Sequence, residues 1–252
     1  MDVAAAIAGE DRLAWNDGVF LVDKPVGMTS FAIVRRVRRL LGIKKVGHAG
    51  SLDPFASGLL IVCVGRPATR HVEWFMTGRK IYVARLQLGV ETTTLDTEGS
   101  IVATSPVPEL DETILAACLN HHVGPQMQAP PPFSAAKHKG KPLYAYARQG
   151  VRIEKAARPI EIFRLELLAY DADTRQLSME IECGRGTYIR VVAADIGRAL
   201  GCGGHLVALR RIRSGRFALA DCLPGEELFT DNGLHLLRSK RYSIAEALQP
   251  AG

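Results

Sequence analysis

Apolar residues recur along the chain with two periods, and the switches between them outline the fold. Val19-Phe20-Leu21-Val22 predicts a short strand, broken by Lys24-Pro25 and Gly27. Thr29 or Ser30 then caps a helix running to about Leu41 and closed by Gly42. Ile33, Val34, Val37, Leu40 and Leu41 share one face of that helix; Arg35, Arg36, Arg38 and Arg39 share the other. Leu59-Leu60-Ile61-Val62-Cys63-Val64, between Gly58 and Gly65, predicts a buried strand. Lys80 to Gly89 alternates, with Tyr82, Ala84, Leu86 and Leu88 on one side. A helix is predicted over 111–119. Phe163–Leu167 and Leu177–Cys183 alternate again, and Asp171-Ala172-Asp173-Thr174 between them predicts a hairpin. Thr187 to Leu200 has the helical period and is stopped by Gly201, Gly203 and Gly204. Half-exposed strands with hairpins, interspersed with amphipathic helices, predict an α+β fold: a mixed, mostly antiparallel central sheet flanked by helices.

Composition narrows the class. At 252 residues, 47% apolar and 23% charged, the chain is long enough for a substantial core. No apolar run approaches the ~18 residues of a membrane span. Residues 1–17 are Ala-rich, then charged. They predict a loose leader, and Asp2, Glu10 and Asp11 are wrong for a signal peptide. Thirty-two Lys and Arg against 26 Asp and Glu give a net charge of +6, which favours a polyanionic partner. The five cysteines are scattered with no C-x-x-C pair, so neither zinc spacing nor a disulfide framework is present, and reduced thiols in a cytoplasmic protein are expected. Four arginines on one helical face without acidic neighbours fit either a solvated face or a phosphate-facing one.

Familiar cofactor signatures are absent. There is no G-x-G-x-x-G, and where a Walker loop would need Lys-Ser/Thr the chain has His48-Ala49. HExxH and G-x-S-x-G are missing as well. No metal or cofactor is expected, and any chemistry must come from side chains. The most suggestive stretch is Gly47-His48-Ala49-Gly50-Ser51-Leu52-Asp53-Pro54-Phe55-Ala56-Ser57-Gly58, which holds one carboxylate and one imidazole in a glycine-rich loop leading into a buried strand. Asp-Pro is also a common turn starter, so the loop alone leaves both a catalytic and a purely structural Asp53 open.

That stretch resembles the G-H-x-G-x-L-D-P-x-A-x-G motif of the bacterial TruB-type tRNA pseudouridine synthases, and further motifs of that family follow in order. Lys24-Pro25-Val26-Gly27-Met28-Thr29-Ser30 is similar to its K-P-x-G-x-T-S. Lys80-Ile81-Tyr82, then Leu88-Gly89, Thr92, Thr94, Asp96 and Gly99, resemble the strand and loop after it. Pro130 to Arg148, with Ser134-Ala135 and Tyr144-Ala145-Tyr146-Ala147-Arg148, fits too. Gly186-Thr187-Tyr188-Ile189-Arg190, Gly201-Cys202-Gly203-Gly204-His205-Leu206 and Leu209-Arg210-Arg211 resemble the late motif. The likeness covers Gly18 to Phe217.

The resemblance implies the pseudouridine synthase fold and an isomerase that converts uridine-55 in the T-loop of tRNA to pseudouridine after flipping the base out. It implies Asp53 as the essential carboxylate, Arg190 as the cation paired with it, and Tyr82 against the uracil as a catalytic residue. Tyr188 and Leu209 would line the same pocket, and His48 would stack into the RNA where the base has left. Phosphate contacts are expected from Arg35, Arg36, Arg38 and Arg39, from Lys137, Lys139 and Lys141 in a mobile RNA-gripping loop of about residues 130–155, and from Arg210 and Arg211. Its domain plan would be the leader, a catalytic domain over 18–222, and a helical segment over 223–252 too short for the PUA module that many relatives carry. The implied partner is the T-arm of tRNA, the implied state a monomer. Two rivals remain: a catalytically idle RNA binder on the same scaffold, argued against by the presence of both Asp53 and Arg190, and a synthase with another RNA target.

Overall fold

The structure, a computed structural model, describes residues 16–249; most of the expected leader lies outside them. In chain order the elements are β1 (Gly18–Lys24), α1 (Ser30–Leu41), β2 (Val46–Ala49), β3 (Ser57–Val64), α2 (Gly65–Thr69), α3 (Val72–Phe75), β4 (Lys80–Leu88), β5 (Val90–Thr92) and β6 (Ile101–Thr104). Then come α4 (Glu112–His121), β7 (Gly124–Gln128), β8 (Lys137–His138), β9 (Lys141–Pro142), α5 (Leu143–Ala147), β10 (Arg158–Asp171), β11 (Gln176–Cys183) and α6 (Ile189–Ala199). The chain ends with β12 (Gly204–Ser214), β13 (Phe217–Ala218), β14 (Leu223–Pro224), α7 (Gly233–Ser239) and α8 (Ile244–Leu248). By packing the chain forms two units. One runs to Gly78 and resumes at Arg213; the other is Arg79–Ile212.

In the first unit β3 is wholly buried and takes β1 antiparallel, Val22 opposite Leu60, and β2 antiparallel, His48 opposite Val62. β14 joins β1 in parallel, Val22 beside Leu223. Both faces of this sheet are covered, which is why β3 reads as an unbroken apolar run rather than an alternation. Phe20, Val22, Leu60 and Val62 pack on Ile33, Val34 and Val37 of α1, with Leu228 and with Leu237 of α7. Val19, Leu21, Leu59 and Ile61 face Ala68, Phe75 and Ala247, from α2, α3 and α8. The segment after residue 222 thus supplies core to this unit. α1 begins where Thr29 Oγ1 accepts the Ala32 N–H (3.0 Å) and ends at Gly42, whose φ of 69° a side chain would strain.

The second unit orders its main strands β12-β4-β11-β10-β7, and the pairings β4–β11, β11–β10 and β10–β7 are antiparallel. β4 buries Lys80, Tyr82, Ala84, Leu86 and Leu88, the side that the alternation predicts. The β10–β11 hairpin turns where predicted: Asp171 Oδ1 accepts the N–H groups of Asp173 (3.0 Å) and Thr174 (3.1 Å), which holds its carboxyl below the usual range. α6 buries Ile189, Arg190, Val192, Ala193, Ala194, Ile196 and Gly197. Gly197 permits the approach of the following turn, since a Cβ there would stand 2.5 Å from the Gly203 carbonyl carbon. Helices thus pack on mostly antiparallel strands, the α+β arrangement expected.

Candidate active site

In the first unit, the loop from β2 into β3 is fixed from both sides of Asp53. Ser30, buried at the first turn of α1, accepts the Leu52 N–H (2.9 Å) and donates its hydroxyl to the Leu52 carbonyl (3.0 Å). On the other flank the Gly27 N–H donates to the Pro54 carbonyl (2.8 Å). The fully buried Lys24 ammonium reaches the carbonyls of Pro25 (2.8 Å), Met28 (2.6 Å) and Pro54 (3.4 Å). The Asp53 carbonyl closes a turn by accepting the Ala56 N–H (3.1 Å), while Leu52, Phe55 and Ala56 plug the loop into the core. Asp53 itself stays half-buried. The Lys24–Ser30 motif is therefore the cradle of the Asp53 loop, a role that the sequence reading did not assign. Ser30→Ala leaves two buried backbone groups unsatisfied. We expect it to lower stability by about 1–3 kcal/mol in chemical denaturation, with a fall in turnover as the loop slackens.

In the second unit the central feature is a buried guanidinium. Arg190, 3% exposed, sits in the first turn of α6. Its Nη1 donates to the Thr94 carbonyl (2.5 Å) and its Nη2 to the Phe133 carbonyl (2.7 Å). Its Nε lies 3.4 Å from Asp96 Oδ2. Asp96, 2% exposed, is held in turn: its Oδ1 accepts from the Thr94 hydroxyl (2.5 Å) and from the Glu98 N–H (2.9 Å). The expectation pairs Arg190 with Asp53; within its own unit the carboxylate facing Arg190 is Asp96. Its signal lies in the Thr92–Gly99 motif, which the resemblance includes without giving Asp96 a role.

Tyr82, 8% exposed, stands on β4 opposite Ile181. Leu209 is buried on β12, and Tyr188 is half-exposed just before α6. Lys80 shares the Tyr82 side of β4, and its ammonium is pushed down to about 8, first by burial and then by the Arg211 and Arg185 charges, against an opposing pull from Cys183. Such a concentration of positive charge suits an anionic group.

The expected phosphate contacts divide. Arg35 and Arg39 are exposed. Arg36 instead donates to the carbonyls of Leu228 (2.5 Å) and Thr230 (3.1 Å) and lies over the Phe229 ring. Arg38 donates to the Val46 carbonyl (2.6 Å), at the edge of β2, and lies over Phe31. Half of the arginine face thus serves the fold. Lys137, Lys139 and Lys141 are exposed on the β8–β9 hairpin and its turn. Arg210 is half-exposed, whereas Arg211 is 1% exposed and shares the inward side of β12 with Leu209. His48, on β2, is half-buried.

This carboxylate loop and this buried arginine stand on a chain with clear relatives. Residues 38–189 match the family model described as TruB family pseudouridylate synthase (N terminal domain). Residues 190–250 match the tRNA pseudouridylate synthase B C-terminal domain. The tRNA pseudouridine synthase B of Desulfotalea psychrophila is 49% identical over 230 residues, 90% of this chain and 94% of that protein. The protein of the same name from Haemophilus influenzae is 44% identical, over 86% of this chain and 69% of its own length. Among solved structures, a Cbf5-Nop10-Gar1 complex aligns with a TM-score of 0.69 at 27% identity, covering 92% of this chain. An H/ACA RNP bound to a substrate RNA containing 2′-deoxyuridine aligns at 0.66 and 25%. The chain spans about three fifths of those two solved chains (62% and 60%). The chain belongs to the TruB family of pseudouridylate synthases, and its activity is that of an isomerase.

Proposed function

We propose that the chain isomerises uridine-55 in the T-loop of tRNA to pseudouridine, with Asp53 as the essential carboxylate. The observation that carries this reading is the Asp53 loop, whose main chain is bonded at Leu52 and at Pro54 to the Lys24–Ser30 segment. A reacting group needs such fixed geometry, and a solvated turn does not. The relatives' name, tRNA pseudouridine synthase B, supports tRNA as substrate.

The uridine leaves its stack at a cost of a few kcal/mol, offset by phosphate contacts of Arg35, Arg39, Lys137, Lys139 and Lys141. His48 fills the vacated place, and Tyr188 and Leu209 line the base pocket. Asp53 acts ionised, and Arg190 serves as its counter-charge against desolvation. The N1–C1′ bond breaks, the uracil turns over, and C5 bonds to C1′. The C5 proton leaves with the Tyr82 oxygen as acceptor, while N1 takes up a proton. Nothing is oxidised or transferred, so the reaction calls for no cofactor. The protein works as a monomer in the cytoplasm, and the free thiols of the described cysteines fit a reducing compartment.

Release of tritium from C5-labelled uridine in a transcribed T-arm stem-loop tests the reading. One equivalent released from the T-loop uridine alone is expected. Tight binding without release would support the idle-binder alternative, and release from other uridines would refute the site.

A further inference from the structure

We infer that Gln128 is a positioning residue for Arg190, acting through the first turn of α6. Gln128 ends β7, opposite Arg158 of β10, and its side chain is buried, 7% exposed. Both ends of its carboxamide bond one residue: Oε1 accepts the Tyr188 N–H (2.8 Å), and Nε2 donates to the Tyr188 carbonyl (3.2 Å). Tyr188 is the N-cap of α6 and makes no side-chain cap bond of its own. In a capping box, the N-cap N–H is accepted by a Glu or Gln three residues into the helix. Here that position is Val191, which has no acceptor, and Gln128 supplies the bond from another strand. The Tyr188 carbonyl also accepts from the N–H groups of Val191 (3.0 Å) and Val192 (3.2 Å). Gln128 therefore grips both backbone poles at the start of the helix, and Arg190 is two residues further on.

A second link closes a ring. The segment after Gln128 is Ala129-Pro130-Pro131-Pro132-Phe133, and the Phe133 carbonyl accepts from Arg190 Nη2 at 2.7 Å. Three successive prolines restrict this bridge. Its two ends are thus pinned to α6, one by the Gln128 amide on the backbone and one by the Arg190 side chain. Burying an amide is costly unless all its groups are bonded, and an apolar side chain would fill the same space without that demand. Fixing the arginine in place is what the amide adds, and for a buried guanidinium small displacements matter, because misplacement by about 1 Å costs on the order of a hundredfold in rate.

The inference rests on the proposed role of Arg190, so the experiment separates the two. Single-turnover rate and RNA affinity are measured on the T-arm stem-loop for Gln128→Met, Arg190→Lys and the double variant. Gln128→Met keeps the length of the side chain and removes both bonds. Its rate should fall about tenfold to a hundredfold, with affinity unchanged within about threefold. In the Arg190→Lys background the same substitution should cost little, because the group it positions is already gone. Full additivity, an unchanged rate, or a loss confined to affinity would each overturn the inference. A normal rate for Arg190→Lys would instead refute the role of the arginine, and Gln128→Met slowing the reaction in that case would show a purely structural residue. Should Gln128→Met fail to fold, Gln128→Glu carries the same comparison, since it keeps the acceptor for the Tyr188 N–H and loses only the donor.

Discussion

Asp53→Asn should abolish turnover, by at least about 10⁴-fold in single-turnover tritium release, while RNA affinity and melting temperature stay near those of the parent protein. The substitution is nearly isosteric, and the bonds that hold the loop on either flank of Asp53 do not depend on its charge. They are made by the main chain of Leu52 and Pro54 with Ser30, Gly27 and Lys24. The amide loses the negative charge and its nucleophilicity while the turn persists. Asp53→Glu is a sharper control. It keeps the charge but extends the carboxylate by one methylene, and a loop fixed on both flanks cannot retreat to absorb it. Its rate should lie far closer to that of Asp53→Asn than to the parent's. Near-normal release from Asp53→Asn would remove the carboxylate from the chemistry altogether.

The fold was legible where elements are long and one-faced. α1, α6, β4 and the β10–β11 hairpin follow from periodicity, because each presents an apolar side to a neighbour at a constant repeat. The helices α2 and α3, of 5 and 4 residues, are too short to show a period at all. β12 was missed because glycines precede it and arginines interrupt it. Its own alternation nonetheless carried usable information. Arg211 has the parity of Leu209, and that parity alone assigns it to the buried side on which the structure places it. The parallel pairing of Val22 with Leu223 joins opposite ends of the sequence, and no local pattern specifies such a pairing. The site divides in the same way. Asp53 stood out because a short contiguous motif surrounds it. The cradle of Lys24 and Ser30, and the grip of Gln128 on Tyr188, are contacts between distant segments, and residue types alone do not announce them. Arg36 and Arg38 share a helix face with Arg35 and Arg39, yet nearby carbonyls at Leu228, Thr230 and Val46 claim them for the fold.

Asp96→Asn should damage both stability and catalysis, and the geometry separates the two effects. Asp96 uses its oxygens differently: Oδ1 receives the Thr94 hydroxyl and the Glu98 N–H, and Oδ2 faces Arg190 Nε at 3.4 Å. In Asp96→Asn the amide oxygen can keep the first two bonds, so the loop retains its shape. The amide nitrogen then points a donor at a donor, and the guanidinium loses a full negative charge in a place where it is 3% exposed. Removing one partner of a buried ion pair costs about 3–5 kcal/mol. For a chain of this size, about 1 kcal/mol lowers the melting temperature by roughly 2–4 °C, so a drop of roughly 6–20 °C is expected. The carbonyls of Thr94 and Phe133 still accept from Arg190, but neither carries a net charge to replace the carboxylate. The arginine should therefore shift or exchange its partners, and the single-turnover rate measured well below the melting transition should fall more than the RNA affinity. A lowered melting temperature with an unchanged rate would make Asp96 a stabilising residue only, and would show that Arg190 keeps its working position without it.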